Sequence, residues 1–357
     1  MDFRISDDRR MLQDSLGRWM ADGYGWEHRA RVAYAAPFHD PAKWAELAEL
    51  GALLALAPED RGGFGGAGFD VMALFEALGR GLCPEPVLPA LLAARLLMAA
   101  DEPLDDLLSG EVRHAVAVGE PEAPYALDGI AAEAREAEGG GWHVSGRKSV
   151  VYGGQTAARL LVAARAGGAL AVLSVEAGDA EVRGYGLIDG GGAAEIVLDD
   201  APARMLLPDA EGALEAALDW GRLALCAEAV GLMDATFAAT LDYLRTRQQF
   251  GRAIGTFQAL QHRAVDLKVE IEQARSIAIL AAAAMEGADR ARKVAMCKSL
   301  VGRTARLVAE EAIQLHGGIA MTWEFPVSHQ AKRLVMLDAQ LGDSDFHLGR
   351  LMAGRTA

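Results

Sequence analysis

The sequence predicts a mostly helical α+β fold in three successive regions. Three observations predict it. Apolar residues recur at helical spacing over 1–112 and again over 209–357. Between them, over 113–208, they form short runs cut apart by glycine pairs. Nowhere do strands alternate with long helices, so a doubly wound parallel sheet is excluded. At 357 residues and 52% hydrophobic composition, the chain has the material for a large core spread over two or three domains.

The elements follow in order. Ser6 reads as an N-cap, with Asp7 and Asp8 in the first turn where the helix dipole favours anions. Met11, Leu12, Leu16, Trp19 and Met20 then keep helical spacing. A second helix opens at Pro41 and carries Trp44, Leu47 and Leu50. The stretch Arg61-Gly-Gly-Phe-Gly-Gly-Ala-Gly68 is a loop; no strand precedes it and no Lys-Ser/Thr follows, so it lacks the context of a phosphate cradle. The middle region, with Val116, Val144, Leu160 to Val162, Ala171 to Leu173 and Ile196 to Leu198 between close-set glycine turns, reads as antiparallel β. Beyond it, Leu225, Ala229, Leu232, Thr236, Thr240 and Leu244 mark one long helix. Leu260, Ala264, Leu267, Ile271 and Ala274 mark a second, ended near Gly287. A third runs from about Asp289 to Leu315 and stops at Gly317-Gly318. Residues 327–352 supply a fourth and fifth, enough for a four-helix bundle.

Composition excludes several functions. Lys plus Arg is 35 against 50 Asp plus Glu, a formal charge of −15 without a basic cluster, which argues against nucleic acid or an anionic membrane as the main partner. Cys83, Cys226 and Cys297 are odd in number and scattered, so neither a disulfide framework nor a CxxC metal site is expected. The apolar run Val87 to Ala100 carries Arg95 and falls short of the roughly 20 residues that span a bilayer, and the charged start has no signal core. A cytoplasmic location is therefore expected. His262, His316 and His329 form no metal-binding pair and read as structural or surface groups. No nucleophile elbow or Walker motif occurs.

Two segments carry candidate chemistry. In Tyr243-Leu-Arg-Thr-Arg-Gln-Gln-Phe-Gly251 a helix ends, turns and restarts; Arg247 suits a pyrophosphate, being planar and always charged, although a plain hairpin with solvated arginines also accounts for it. In Gln314-Leu-His-Gly-Gly-Ile-Ala-Met-Thr-Trp-Glu324 the paired glycines serve either as a C-cap or as a place where backbone comes close to a cofactor.

Together with Ile254-Gly255-Thr-Phe-Gln258, these motifs resemble those of the acyl-CoA dehydrogenase flavoprotein family. Leu56-Ala-Pro-Glu-Asp-Arg-Gly-Gly-Phe-Gly-Gly66, Glu76-Ala-Leu-Gly-Arg-Gly-Leu-Cys-Pro-Glu-Pro86 and Gly146-Arg-Lys-Ser-Val150 extend the resemblance over nearly the whole chain. It implies an N-terminal helical domain, a middle β domain and a C-terminal four-helix bundle. It also implies FAD as cofactor, an acyl-CoA thioester as substrate, α,β-dehydrogenation as reaction and electron-transfer flavoprotein as acceptor. In the family each FAD lies across a subunit interface, so a homodimer, a homotetramer or a heteromer is implied. The residues so assigned to FAD are Arg247, Phe250, Gln258, Gln314, Gly317 and Gly318.

The chain departs from the family where the family uses its own site. The usual base is the Glu of a Tyr-Glu-Gly-Thr segment; here Gln340-Leu341-Gly342-Asp343 stands there. The alternative position, just before a helical Arg, holds Gly221 in Leu218-Asp-Trp-Gly-Arg222. The family's Thr-Glu-Pro segment appears as Gly119-Glu-Pro-Glu-Ala-Pro-Tyr125, and its Trp-Ile-Thr-Asn as Val150-Val-Tyr-Gly153. What is kept is what the family offers to a neighbour's FAD. This sorting resembles the base-less small subunits of heteromeric acyl-CoA dehydrogenases, of the pimeloyl-CoA dehydrogenase small-subunit type and those acting on sterol side chains. Three readings stand at this point: a subunit completing a partner's site; a self-sufficient enzyme with a displaced base such as Asp343, Asp345 or Glu324; and a scaffold without catalysis. For those carboxylates the residues also allow structural roles, Glu324 bracing the loop after Gly318 and the aspartates sitting in a turn or at an N-cap.

Overall fold

The structure, a computed structural model, describes residues 6–354. Six helices come first: α1 (Asp7–Gly23), α2 (Trp26–Val32), α3 (Pro41–Glu49), α4 (Gly68–Arg80), α5 (Val87–Ala99) and α6 (Asp105–Leu108). Seven strands follow: β1 (His114–Ala117), β2 (Glu133–Glu136), β3 (Trp142–Tyr152), β4 (Arg159–Ala166), β5 (Ala169–Glu176), β6 (Glu181–Gly186) and β7 (Gly192–Leu207). The chain then returns to helix with α7 (Glu211–Thr246), a small hairpin of β8 (Gln248–Gln249) and β9 (Arg252–Ala253), α8 (Gln258–Ala283), α9 (Arg290–His316), α10 (Pro326–Ala339) and α11 (Ser344–Met352). The order helix, strand, helix is the one expected. The Ser6 cap falls where the sequence puts it, accepting from the Arg9 amide; ahead of Pro41 the structure adds Asp40, which accepts from the Ala42 and Lys43 amides.

The described residues form two compact units, each assembled from segments distant in sequence. One comprises 27–66 and 84–221, the other 6–26, 67–83 and 222–354.

In the first unit β4, β2, β3, β7 and β5 close into a ring, because β5 pairs with both β7 and β4; β1 adds to β4 and β6 to β7. The ring encloses an apolar core of small and branched residues, among them Val144, Leu160, Val162, Leu173 and Ile196. The sheet is not wholly antiparallel as expected: β1 and β2 both run parallel to β4. Those pairs are joined through intervening strands and not by hairpins, and parallel pairing needs such a crossover. One charged group lies inside this unit. Lys148, fully buried on β3, donates to Glu120 Oε1 (2.7 Å) and to the Val118 carbonyl (3.2 Å). Glu120 also accepts from the Ala131 and Ala132 amides at 2.8 and 3.0 Å. Burial pushes the lysine down to about 8, while the carboxylate opposite favours its charged form.

In the second unit the helices meet through glycine. A Cβ built at Gly79 on α4 would collide with the Glu228 carbonyl of α7, and one at Gly231 on α7 with the Glu76 carbonyl of α4. Each helix therefore offers the other a bare patch, and the two backbones touch. Ion pairs flank the crossing: Arg333 of α10 donates to both oxygens of Glu228 at 2.7 and 2.8 Å, and Arg275 of α8 reaches Asp234 at 2.6 Å. By length and composition α7 could cross a bilayer, but 72% of its most apolar window is buried inside the protein. A buried core helix passes the same test.

The far end of this unit rests on Lys298, which is 1% exposed on α9. Its ammonium donates to the carbonyls of Leu337 (2.8 Å) and Asp338 (2.7 Å), two of the groups that the last turn of α10 cannot satisfy itself. Burial lowers its pKa to about 8. Beside it a Cβ at Gly302 would strike Asp338 Oδ1, so glycine alone lets α9 approach the α10 terminus this closely.

Two expectations follow from this packing. Gly79→Ala gains about 1 kcal/mol of helix propensity but overpacks the crossing at about 1–3 kcal/mol, so a net loss of about 1 kcal/mol should appear in the urea midpoint without a change in slope. Lys298→Met leaves two buried carbonyls unpaired, at about 1–3 kcal/mol each. The pH dependence has a definite sign. Between about 8 and the ordinary value of 10.5 the unfolded chain holds a proton that the folded chain has shed. Wild-type stability relative to the methionine variant should therefore rise across that window, and urea melts at pH 7.5 and 9.5 check it.

Candidate functional site

Between α10 and α11 the chain makes a tightly held turn. Leu341 lies in the left-handed region at φ 56°, costly for a residue with a Cβ. Its carbonyl accepts from Arg222 Nε at 3.0 Å and faces His347 Nε2 at 3.3 Å. Arg222 and His347 are both buried. Burial first, and then the charges of Arg222, Lys298 and Arg350, push His347 down to about 2, so it is a neutral imidazole. The carbonyl beside Nε2 assigns the hydrogen to that nitrogen. Asp338 Oδ1 takes the Ser344 amide (3.0 Å) and hydroxyl (2.6 Å), and Asp343 caps α11 by accepting from the Phe346 amide at 2.7 Å. Gly221 is buried on α7. Neither residue 341 nor residue 221 carries a group that can take a proton. Of the other carboxylates considered, Asp343 is committed to its cap and Asp345 is exposed in the first turn of α11. Glu324 is exposed and hydrogen-bonds to nothing among the described residues, so it does not brace the loop after Gly318 as expected.

A second group of residues gathers where α7, α8 and α9 end or begin. The hairpin after α7 is closed by the Ile254 amide donating to the Arg247 carbonyl at 2.9 Å, with Phe250 at its tip at φ 54° and 89% exposed. The Arg247 guanidinium is exposed and has no ion-pair or hydrogen-bond partner among the described residues. Gln258 is the exposed first residue of α8, and Gln314 is exposed in the last turn of α9. Tyr243, one turn before Arg247, stacks on His316, the residue before Gly317, at 4.5 Å. Arg263 of α8 donates to Glu311 of α9 at 2.8 Å. These contacts draw Arg247, Gln258, Gln314 and the glycine pair to one end of the bundle.

Gly317 sits at φ 70°, ψ −153°, a conformation open essentially to glycine. A Cβ on Gly317 or Gly318 would meet nothing within 4 Å, so the backbone lies open to approach. Exposed apolar groups surround it: Ile319, Met321 and Trp323, with Lys332 over the Trp323 ring at 4.5 Å. Sequence reasoning missed this apolar rim. Its signal was present, since three large apolar residues within five positions of a glycine turn find no room in a core.

A third group lies on the β unit. The segments beginning at Gly119 and ending at Gly153 are brought together where the Ser149 amide donates to the Gly119 carbonyl at 2.9 Å. The β3–β7 register breaks between Lys148 and Val151, leaving Ser149 and Val150 as a bulge, with Val150 at φ 51°. Glu195 of β7 holds the bulge. Its Oε1 accepts from the Ser149 hydroxyl (3.1 Å), the Val150 amide (3.2 Å) and the Tyr185 hydroxyl (2.9 Å). Burial and the carboxylate push Tyr185 up to about 12. No linear signal pairs Glu195 with residues 45 positions away. The loop 61–68 is explained without a ligand, because Gly63 and Gly66 press on the chain's own backbone at Ala57 and Pro58. No cluster of three or more metal-ligating side chains occurs among the described residues, and the three cysteines form no disulfide.

Residues 6–104 match the model of the acyl-CoA dehydrogenase N-terminal domain, and residues 212–354 that of the acyl-CoA dehydrogenase C-terminal domain. The acyl-CoA dehydrogenase IpdE2 of Mycobacterium tuberculosis is 31% identical, over 92% of this chain and 91% of the relative. Its namesake from Mycolicibacterium smegmatis is 28% identical, over 98% and 99%. Among solved structures, a variant of the Tcur3481–Tcur3483 steroid ACAD superposes with a TM-score of 0.89 at 28% identity, over 98% of this chain and 99% of that one. The ChsE4–ChsE5 complex from Mycobacterium tuberculosis shares the fold, with a TM-score of 0.90 at 24% identity over 99% of both chains. With both domain models matched in their expected order and a relative above 30% identity along nine-tenths of its length, the chain belongs to the acyl-CoA dehydrogenase family.

Proposed function

We propose that this chain is a subunit of an FAD-dependent acyl-CoA dehydrogenase complex, that it carries no base of its own, and that it completes the FAD site of a partner subunit of the same fold. The observation that carries this reading is the unspent Arg247. A guanidinium left free at the end of a bundle, beside an open glycine backbone and two exposed amides, is a donor set for an anion the chain does not itself contain.

The donor set fits a dinucleotide. Arg247 would pair with the pyrophosphate, Gln258 and Gln314 would offer amides, Gly317 and Gly318 would let backbone come close, and Phe250 would cover the cofactor's apolar surface. FAD, when bound, supplies the acceptor for the β-hydrogen of the acyl thioester. The partner supplies the carboxylate that takes the α-proton, since Leu341 and Gly221 cannot. This chain's part is to bind and orient, which converts an encounter into a fixed geometry. A self-sufficient enzyme with a displaced base finds less support: Asp343 is spent on its cap, and Asp345 and Glu324 are solvated. Similarity to one structure named as a steroid ACAD, whose name joins two proteins, favours a bulky acyl substrate and a heteromer.

Three outcomes are expected. Purified alone and offered acyl-CoA with an artificial acceptor, the chain should turn over about 10²–10⁴-fold more slowly than the co-expressed complex, the usual loss when a general base is missing. Equal rates would overturn the reading. In the complex, Arg247→Ala removes a charged contact worth about 1.5–3 kcal/mol and should weaken FAD binding about 10–100-fold, with the melting temperature of the isolated chain unchanged. Unchanged flavin content would reduce the segment to a helix hairpin. Leu341→Glu should not rescue the isolated chain unless FAD and thioester both bind there, so activity gained by that change alone would favour a self-sufficient ancestor site.

A further inference from the structure

The residues assigned to FAD do not share one element. Arg247 follows α7, Gln258 opens α8, and Gln314 and the glycine pair close α9. Their spacing is therefore set by whatever fixes the ends of these helices against one another. Arg263 on α8 pairs with Glu311 on α9, but the two side chains are 38% and 26% exposed. An ion pair so placed is screened by water and salt and holds little. The contact between α7 and α9 is of another kind, because it is buried and aromatic.

Three rings meet there. Tyr243, near the end of α7, stacks on His316, the last residue of α9, with centroids 4.5 Å apart and planes 29° from parallel. Phe325, the residue ahead of α10, sets its ring at 5.3 Å from His316 and 6.4 Å from Tyr243. His316 is 4% exposed, and its Nδ1 donates back to the Ala312 carbonyl at 2.8 Å, which fixes the rotation of the ring. Burial lowers its pKa, so the ring that stacks at neutral pH is the uncharged imidazole. Each partner of the stack stands one step from a donor. The Tyr243 carbonyl accepts from the Arg247 amide at 2.8 Å, and His316 is joined directly to Gly317. The glycine turn also has a support that does not involve the ring, since the Gly317 amide donates to the Ile313 carbonyl. What the stack adds is a fixed separation and tilt between the two helix ends, which flat rings specify and aliphatic packing does not.

We infer that Tyr243 and His316 are positioning residues, whose stack sets Arg247 at a fixed place relative to the Gly317-Gly318 backbone, so that the guanidinium and the open backbone meet one FAD together. The inference rests on the reading that these groups bind FAD, and it adds what makes them a single site. A guanidinium on an unfixed arm binds phosphate only at the cost of ordering that arm, and an arm set in advance avoids the cost.

The test is a double-mutant cycle on FAD binding in the complex, with His316→Ala and Arg247→Ala made singly and together. His316→Ala should weaken FAD binding about tenfold where Arg247 is present and by less than about twofold where residue 247 is already alanine, the non-additivity of residues that act through one another. The lost ring also lowers the melting temperature, but equally in both backgrounds. A role confined to packing would therefore shift FAD binding by the same factor with or without Arg247. That result, or no shift at all, would overturn the inference while Arg247→Ala alone still weakened binding. An Arg247→Ala variant that binds FAD as tightly as the wild type would instead sink the reading beneath the inference, and the inference with it. His316→Phe keeps the ring and discards both nitrogens, so it should restore the affinity. A loss as large as that of alanine would mean that the bond to Ala312 matters and the stack does not. If His316→Ala fails to fold, Tyr243→Phe and Tyr243→Leu put the same question from α7. The phenylalanine should bind FAD as the wild type does and the leucine about tenfold more weakly, again only where Arg247 is present.

Discussion

The helical unit depends on a buried ammonium that faces carbonyls with no carboxylate bonded to it. α10 must end where α11 begins, and a helix end leaves carbonyls that a buried site cannot hand to water. Lys298 satisfies two of them, Arg222 satisfies that of Leu341, and Asp338 turns its carboxylate to the start of α11. The turn between the helices thus has its backbone groups satisfied by residues from α7 and α9. Gly302 is the steric condition for this, since any side chain there would occupy the place of Asp338. The turn is tied by bonds that do not involve the half-buried Leu341 side chain.

Polar groups elsewhere divide into those that are spent and those that are not. Lys148, Glu120, Arg333, Glu228 and Glu195 are all buried or half-buried and all engaged within their own unit. Arg247, Gln258, Gln314 and the Gly317-Gly318 backbone are exposed at the end of the helical unit. Side-chain entropy and solvation favour leaving a surface arginine loose, so one free guanidinium means little by itself. Its company is what matters. An open glycine turn, two amides and a rim of exposed Phe250, Met321 and Trp323 make a surface that water covers poorly and that another chain would cover well.

Much of this was legible in the sequence. Helical spacing, the Ser6 cap, Pro41 and the stop at Gly317 mark helices whose local signals agree with their tertiary setting. The residues around Arg247 could be read as one group because they are contiguous and hairpin geometry is local. The two parallel pairings of the sheet were not legible, since closing a ring is a property of several strands together. The Lys298 cap was hidden for a related reason: a lysine in the middle of an amphipathic helix reads as a solvated face, and only the position of α10 shows that it points inward. Glu324 misled in the opposite sense, a carboxylate beside a glycine turn that makes no hydrogen bond or ion pair with the turn or with any other described residue.

Leu341 and Glu195 stand at two turns held by opposite means. At residue 341 the left-handed backbone is held at its carbonyl by Arg222 and His347, through bonds that do not involve the side chain. At the β3 bulge a side chain is the means, and Glu195 takes the donors of the bulge inward. Val150 is β-branched and a left-handed backbone is costly there; it persists because one carboxylate oxygen takes the Val150 amide together with the Ser149 and Tyr185 hydroxyls. The donors of the bulge are engaged within their own unit, while Arg247, Gln258 and Gln314 remain exposed at the end of the helical unit.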